Sequence, residues 1–140
     1  MRDPECIFCK IVKGEIPSMQ VYEDPDTIAF MDINPLHPGH SLIIPKMHYE
    51  NIYNASDSAL ASMITTTRKV ATATNTALSP DGINVLQANG EGAGQSVFHI
   101  HFHVLPRQSG DDAKLNWGLS AGNMDEISTI ADKIRSTLKD

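Results

Sequence analysis

The sequence predicts an α+β fold with a five-stranded, mainly antiparallel sheet, one long helix and one C-terminal helix. Three observations support this class: a hairpin pattern near the N-terminus, a return to strand patterns after a long helical stretch, and the lack of an internal repeat. The 140 residues, 41% of them hydrophobic, have the size of one domain. Residues 1–140 are therefore assigned to a single domain with one modest core.

The first three strands are delimited by turn residues. Residues 19–23 and 27–33 form a predicted hairpin around DPD, because proline presets φ and aspartate accepts hydrogen bonds from the following backbone. The turn-rich stretch NPLHPGH then leads into a third, apolar strand, SLIIP at residues 41–45. This strand is expected to end at its proline, which cannot donate a ladder hydrogen bond.

A long amphipathic helix is predicted from Ser56 to Leu78, with Asn54 or Ser56 as its N-cap. Its many threonines lower the intrinsic helix propensity, so packing against the core or a second subunit must stabilise it. Residues at helical spacing define the packed face: Leu60, Met63, Ile64, Thr67, Ala71, Thr74 and Leu78.

The rest of the chain completes the pattern. INVLQA at residues 83–88 is predicted as the fourth strand, and residues 98–107 as the fifth. Asn123, with Glu126 three residues later, resembles a capping box and begins a C-terminal helix.

Charge and composition exclude several classes of protein. The formal net charge of -6 and the pI near 5.4 leave no basic stripe for duplex nucleic acid, so a bound phosphate should be held by a local pocket. The N-terminal stretch MRDPECIFCKIVKGEI has scattered charges and no long apolar run, so neither a secretory signal nor a membrane association is expected. These features predict a cytoplasmic protein.

The stretch FHIHFHVLPR, residues 98–107, carries three of the six histidines at alternate positions. On a strand, His99, His101 and His103 share one face while the intervening apolar residues enter the core. One alternative is a solvated face with histidine as polar filler, and another is one metal ion held by all three. Zinc needs nitrogens about 2 Å away, whereas His99 and His103 are roughly 13 Å apart along a strand. The three histidines are therefore expected to have different roles, with neighbouring rings flanking a shared substrate group.

The glycine-rich loop NGEGAGQS, residues 89–96, directly precedes this row. Glycines let backbone N–H groups approach an anion, and Gln95 and Ser96 add side-chain donors. An ordinary flexible loop is the alternative, but the junction with the histidines favours a phosphate site. Neutral imidazole is a nucleophile near pH 7, so this combination suits phosphorus chemistry.

The two cysteines, Cys6 and Cys9, form a C-x-x-C motif. In a reducing compartment such a pair is more often a metal or redox site than a structural disulfide. A thioredoxin-like redox pair needs a βαβ context, which the predicted element order lacks. A third interpretation is that both cysteines are small packing residues.

The segment GQSVFHIHFHVLPR resembles the signature of the histidine-triad nucleotide hydrolases. The segments CIFCKIVKGEIPS and YEDPDTIAFMDINPLHPGHSLIIPKMH resemble the same family in order and spacing, so the resemblance covers roughly residues 5 to 107. It implies that His101 attacks the α-phosphorus of a nucleoside 5′-phosphate derivative, that His103 orients and tunes His101, and that His40 joins this relay. Three histidines, where nucleotidyl-transferring relatives have glutamine at the third position, imply hydrolysis.

The resemblance also implies binding roles around a purine nucleotide, with an AMP or GMP moiety. Asp32 would accept hydrogen bonds from both ribose hydroxyls, and Gln95 and Ser96 would bind phosphate and leaving-group oxygens. Asn89 is a further candidate, but Ala88 stands where the family often has an amide, and strand alternation turns Asn89 to the opposite face. The apolar slot for the base, or on the alternative interpretation plain core, comprises Ile7, Phe8, Ile11, Phe30 and Ile33.

Finally, the resemblance implies a structural zinc site formed by Cys6, Cys9, His48 and His99, a closed tetrahedral ligand set. No catalytic metal is required, and zinc at His99 would leave catalysis to the other histidines. We therefore expect a homodimeric hydrolase of nucleoside 5′-phosphoramidates and related nucleotides that forms a covalent nucleotidyl-histidine intermediate. The alternatives are a dinucleoside polyphosphate hydrolase, which HVLPR also resembles, and a nucleotide-binding or partner protein without turnover.

Overall fold

The computed structural model describes residues 4–138 and confirms the α+β class. The five strands form one antiparallel sheet in the order β1-β2-β3-β5-β4. The strands are β1 Gln20–Glu23, β2 Thr27–Met31, β3 Ser41–Pro45, β4 Gly82–Gln87 and β5 Phe102–Arg107. The helices are α1 Ile7–Val12, α2 Asp57–Leu78 and α3 Met124–Thr137, with a 3-10 turn at Glu91–Ala93.

The β1–β2 hairpin forms for the reason that its turn sequence indicates. Asp24 Oδ1 accepts hydrogen bonds from the backbone N–H groups of Asp26 (2.9 Å) and Thr27 (2.8 Å). The second strand ends at Met31, two residues earlier than predicted, because Asp32 Oδ1 accepts from Asn34 N–H at 2.8 Å and starts a new turn.

The two faces of the sheet support different helices. Register pairs Phe30 with Leu42 and Leu42 with His103, which places these side chains on one face. The short helix α1 covers that face through an apolar cluster of Phe8, Ile28, Phe30, Leu42 and Ile44. The long helix α2 covers the opposite face through Ala29, Ile43, Val70 and Val104.

Of the two predicted N-cap residues, Asn54 and Ser56, Ser56 caps α2: its hydroxyl accepts a hydrogen bond from Ala59 N–H at 3.1 Å. The buried face, however, is rotated from the predicted one. Its buried residues are Met63, Thr66, Thr67 and Val70. Ile64, predicted on the packed face, is 50% exposed, because buried Thr66 instead meets Thr27 of β2 in a 2.7 Å hydroxyl–hydroxyl hydrogen bond.

The fifth strand begins at Phe102, four residues later than predicted. Its pairing with β3 stops at Phe102, and before that point Ile100 N–H donates to the Tyr49 carbonyl at 2.7 Å. Residues 98–101 therefore run along a neighbouring loop segment instead of the sheet.

Helix α3 begins as predicted at the N-cap Asn123, whose Oδ1 accepts from Glu126 N–H at 3.0 Å. Its apolar residues Ile127, Ile130 and Ile134 are each about half exposed. Within residues 4–138, no helix combines the length and the apolar character that a membrane crossing requires.

Candidate active site

A cavity of about 400 Å3 opens on the α1 face of the sheet and brings most of the predicted site together. The predicted residues that line it are Ile7, Phe8, Ile11, Phe30, Asp32, Ile33, Ser96, His101 and His103. Sequence reasoning missed the remaining lining residues, which are Ile16, Pro17, Ser18, Met31, Asn34, Leu42 and Val97. The cavity lining is thus mainly apolar, with His101, His103 and Asp32 among its polar residues.

A hydrogen bond to the backbone determines which ring nitrogen of His101 carries the hydrogen. Its Nδ1 lies 2.8 Å from the carbonyl oxygen of His99. A carbonyl only accepts, so Nδ1 carries the hydrogen and Nε2 keeps its lone pair. The ring of Phe8 packs edge-on against His101 with centroids 5.2 Å apart and fixes its orientation. His101 is 6% exposed and presents a neutral, nucleophilic nitrogen at the cavity wall.

His40 and His103 form a hydrogen-bonded pair beside His101. The backbone N–H of Leu36 donates to His40 Nδ1 at 3.1 Å, so His40 carries its hydrogen on Nε2. That Nε2–H donates to His103 Nδ1 at 2.9 Å, which leaves the hydrogen of His103 on its own Nε2. His103 lies beside His101 with ring centroids 4.9 Å apart. His40, His103 and His101 therefore lie next to one another, and His103 offers an N–H donor at the cavity.

Burial keeps these rings uncharged. Desolvation lowers the pKa of His101 and of His40. It is also the largest cause that lowers the pKa of His103 to about 4, and the neighbouring titratable rings of His101 and His40 further disfavour the charged form of His103. All three rings are neutral at pH 7, which is the form that a nucleophilic imidazole requires.

Asp32 lies at the end of β2 and borders both the cavity and the relay. Its Oδ2 is 3.6 Å from His40 Nε2, and its Oδ1 accepts from Asn34 N–H. Each carboxylate oxygen has further lone pairs, so Asp32 can still accept hydrogen bonds from a ligand in the cavity.

The two amide residues of the glycine-rich loop are engaged inside the protein. Gln95 is 2% exposed, and its Oε1 accepts from Gly90 N–H at 2.8 Å. Asn89 Oδ1 accepts from Ile52 N–H at 2.8 Å, and its Nδ2 donates to Gln87 Oε1 at the same distance. These side chains shape the loop, while Ser96 lines the cavity.

The four predicted metal ligands converge at the start of the histidine segment. Their ligand atoms lie within 4.8 Å of one another, with 3.4 Å for Cys6 Sγ–His99 Nδ1 and 3.2 Å for His48 Nδ1–His99 Nδ1. Cys9 Sγ lies 3.4 Å from His48 Nδ1 and 3.5 Å from His99 Nδ1. Tetrahedral zinc, with bonds of about 2.0 to 2.3 Å, spaces its ligands by roughly 3.3 to 3.8 Å. These residues can therefore hold a metal ion.

The orientation of His99 fits this role. Its Nε2 lies 2.8 Å from the Pro45 carbonyl, so the hydrogen is on Nε2 and Nδ1 offers a lone pair to the cluster. Asp32, His40 and His103 form a second close group, but there the Leu36 N–H occupies His40 Nδ1 and leaves a hydrogen on the Nε2 that faces the group. That hydrogen makes the second group unsuitable for a metal ion in this protonation state.

Arg107, at the end of β5, uses all five of its N–H groups within the protein. Nε and Nη2 bind Asp111 at 2.9 and 2.7 Å, and the other N–H groups bind the side chains of Asn84 and Asn116 and the carbonyl of Ala113. Hydrogen bonding to Arg107 lowers the pKa of Asp111. This guanidinium holds residues 111–116 against the sheet.

A single antiparallel sheet with a histidine-lined cavity and a neighbouring Cys2His2 cluster defines a small α+β protein with a histidine-based site. The HIT domain family model matches residues 13–110, and the chain belongs to this family.

Known relatives extend the match over nearly the whole chain. Adenosine 5′-monophosphoramidase hnt1 of Schizosaccharomyces pombe is 38% identical over 140 residues, covering 96% of this chain and 98% of that protein. The crystal structure of a HIT family member from Bacillus subtilis has 40% identity and a TM-score of 0.90, covering 97% of this chain and 99% of that chain. A Zn-bound histidine triad family protein from Mycobacterium smegmatis has 33% identity and a TM-score of 0.74, covering 96% and 98% respectively.

Proposed function

We propose that the protein hydrolyses nucleoside 5′-phosphoramidates and related purine nucleotides through a nucleotidyl-histidine intermediate on His101. The observation that carries this proposal is the free Nε2 of His101 at the wall of the same cavity that Asp32 and Ser96 line. Family membership and the phosphoramidase name of a relative support nucleotide hydrolysis.

The reaction proceeds in two displacements. In the first, His101 Nε2 bonds to the α-phosphorus while the bond from phosphorus to the leaving nitrogen breaks, and that nitrogen takes up one proton to leave as an amine. In the second, water attacks the phosphorus, the P–Nε2 bond breaks, and water releases one proton. One water is consumed overall. The Nε2–H of His103 is available to hydrogen-bond to substrate oxygens or to the leaving nitrogen.

The ribose, the phosphate and the base of the nucleotide each contact a different part of the cavity. Asp32 accepts hydrogen bonds from the ribose hydroxyls, and Ser96 and the backbone of residues 89–96 bind the phosphate. Gln95 and Asn89 contribute to this phosphate site by shaping the loop. The base, from AMP or GMP, occupies the apolar slot of Ile7, Phe8, Ile11, Phe30 and Ile33.

The Cys2His2 cluster holds a structural zinc ion, and its closed ligand set gives that ion no part in the chemical step. Cys6 and Cys9 form no disulfide, and thiolate ligands for zinc suit a reducing compartment, so we place the protein in the cytoplasm. The exposed apolar face of α3 supports a homodimer, which sedimentation equilibrium can test against a monomer.

A dinucleoside polyphosphate hydrolase is the alternative, and the HVLPR stretch that resembles such enzymes ends at Arg107. Because all five N–H groups of Arg107 bind within the protein, none is available for additional phosphates. We therefore expect kcat/KM for adenosine 5′-phosphoramidate to exceed that for a diadenosine polyphosphate by at least tenfold. Steady-state assays of both substrates on one preparation decide this, and the reverse order would select the alternative.

Asp32 should make the protein selective for ribonucleotides. A carboxylate that accepts from ribose hydroxyls contributes about 1.5 to 3 kcal/mol, so AMP should bind roughly ten- to a hundredfold more tightly than 2′-deoxy-AMP. Calorimetric titration measures both affinities. In Asp32→Asn the ratio should approach one, and equal affinities in the wild-type protein would reject the assignment.

A further inference from the structure

Gln95 lies at the centre of a buried hydrogen-bond network. Its Oε1 accepts from Gly90 N–H (2.8 Å), and its Nε2 donates to the carbonyls of Glu50 (2.7 Å) and Val97 (3.1 Å). The amide N–H only donates and the carbonyls only accept, so the orientation of the carboxamide is determined. Both of its hydrogens are used within the protein.

Glu50, whose carbonyl accepts from Gln95 Nε2, lies two residues after His48. Residues 48–52 start at His48 of the Cys2His2 cluster and run beside residues 89–100, which include the phosphate loop and the second histidine ligand, His99. Three hydrogen bonds join the two segments: Ile100 N–H to the Tyr49 carbonyl (2.7 Å), Gln95 Nε2 to the Glu50 carbonyl (2.7 Å), and Ile52 N–H to Asn89 Oδ1 (2.8 Å).

We propose that Gln95 is a positioning residue that couples the metal cluster to the nucleotide cavity by holding residues 48–52 against the phosphate loop. In this role its carboxamide supports the loop and does not contact the phosphate itself. The nucleotide part of the inference rests on the proposed function.

The physical basis is the linkage between two sites that fix the same segments. A metal ion on His48 and His99 restrains both segments at one end. A phosphate beside Ser96 restrains the loop of residues 89–96, to which Gln95 and Asn89 connect residues 48–52. Each ligand therefore favours the arrangement that the other requires, and the coupling is reciprocal. Because Gln95 is buried, loss of its hydrogen bonds leaves unpaired carbonyls and weakens this connection.

The test measures the rate at which zinc-loaded protein transfers zinc to excess chelator, with and without saturating AMP. AMP should slow release from the wild-type protein at least threefold. Gln95→Met, which keeps the side-chain length but removes its polar atoms, should release zinc about tenfold faster, and AMP should no longer change the rate. The matched control is Gln108→Met, a change at an exposed glutamine, which should behave as the wild type does.

A direct phosphate ligand would give a different result. Gln95→Met would then weaken AMP binding and leave zinc release in the absence of AMP unchanged, which would overturn the proposal. If wild-type protein neither binds AMP nor turns over nucleotides, the proposed function fails, whereas the release rates without AMP still test the link from Gln95 to the metal cluster.

Two further measurements keep the proposal testable if Gln95→Met does not fold. Asn89→Ala removes one of the joining hydrogen bonds and should also accelerate zinc release. In the wild-type protein, chelation of zinc should increase hydrogen exchange at the amides of Gly90 and Ile52, while the amide of Asn34, which donates to Asp32, should serve as the unchanged reference. Unchanged exchange at Gly90 would contradict the proposal.

Discussion

His101→Asn is expected to lose at least a thousandfold in kcat while it binds AMP within about threefold of the wild-type affinity. Asparagine cannot form the nucleotidyl intermediate, because its amide nitrogen has no available lone pair. Asp32 and Ser96, which line the same cavity and are proposed to contact the ribose and the phosphate, are unchanged in this variant, so binding should persist. Steady-state kinetics and calorimetry measure the two quantities separately.

The matched control for this variant is His37→Asn. His37 lies on the loop before His40 and does not line the cavity among the described residues, so its replacement should leave kcat within about twofold. Quenching of wild-type protein with alkaline denaturant during turnover should trap one nucleotidyl group on the peptide that contains His101, because the phosphorus–imidazole bond is stable to base and labile to acid. Activity of His101→Asn within tenfold of wild type, a change in barrier of only about 1.4 kcal/mol, would remove His101 from the nucleophilic role. If the protein binds AMP but shows neither a covalent adduct nor a single turnover, the results would favour a nucleotide-binding protein without enzymatic activity.

Cys9→Ala is expected to lose zinc and to lower the melting temperature by about 10 °C or more. Cys9 is 0% exposed, and the cluster connects the N-terminal segment, the loop after β3 and the start of the histidine segment. In a chain of this size, a metal ion that joins three distant segments contributes a large part of the folding free energy. Elemental analysis and thermal unfolding of protein purified without chelator provide the measurements.

The wild-type protein with its zinc removed is the control for this variant. Chelator should lower the melting temperature of wild type to that of Cys9→Ala and should not lower that of the variant further. Some hydrolysis should persist in the variant, since the proposed mechanism gives neither thiol a part in the chemical step. If wild-type protein contains no zinc and Cys9→Ala has the same melting temperature, Cys6 and Cys9 are packing residues and not metal ligands.

Elements with a local signal were predictable from sequence. The strand Ser41–Pro45 is bounded by turn residues, and the N-caps Ser56 and Asn123 are followed by regular apolar spacing. Helix α1 was missed because six residues are too few to show a period. Its N-cap is the sulfur of Cys6, which accepts from Cys9 N–H at 3.3 Å, and a C-x-x-C motif at a helix start was the one available signal.

The interior of the site depended on packing that no local pattern records. The alternation of histidines predicted a strand from residue 98, but it could not show that Tyr49, and not a strand, pairs with Ile100. The cavity wall from Ile16 to Ser18 belongs to the chain after α1, whose position is set by tertiary contacts. Likewise, the engagement of Gln95 with Glu50 joins residues 45 positions apart in sequence.

Main-chain atoms determine the hydrogen position on three of the site's imidazoles: the carbonyls of Pro45 and His99, and the N–H of Leu36. Main-chain groups are present whatever side chain a position bears. A change of side chain at position 36 or 45 therefore leaves the tautomers of His40 and His99 unchanged. Position 36 can accept any residue that retains an amide hydrogen, which excludes only proline, whereas position 45 tolerates proline because its task requires only a carbonyl. Sequences can therefore diverge around this centre while the imidazole chemistry stays the same.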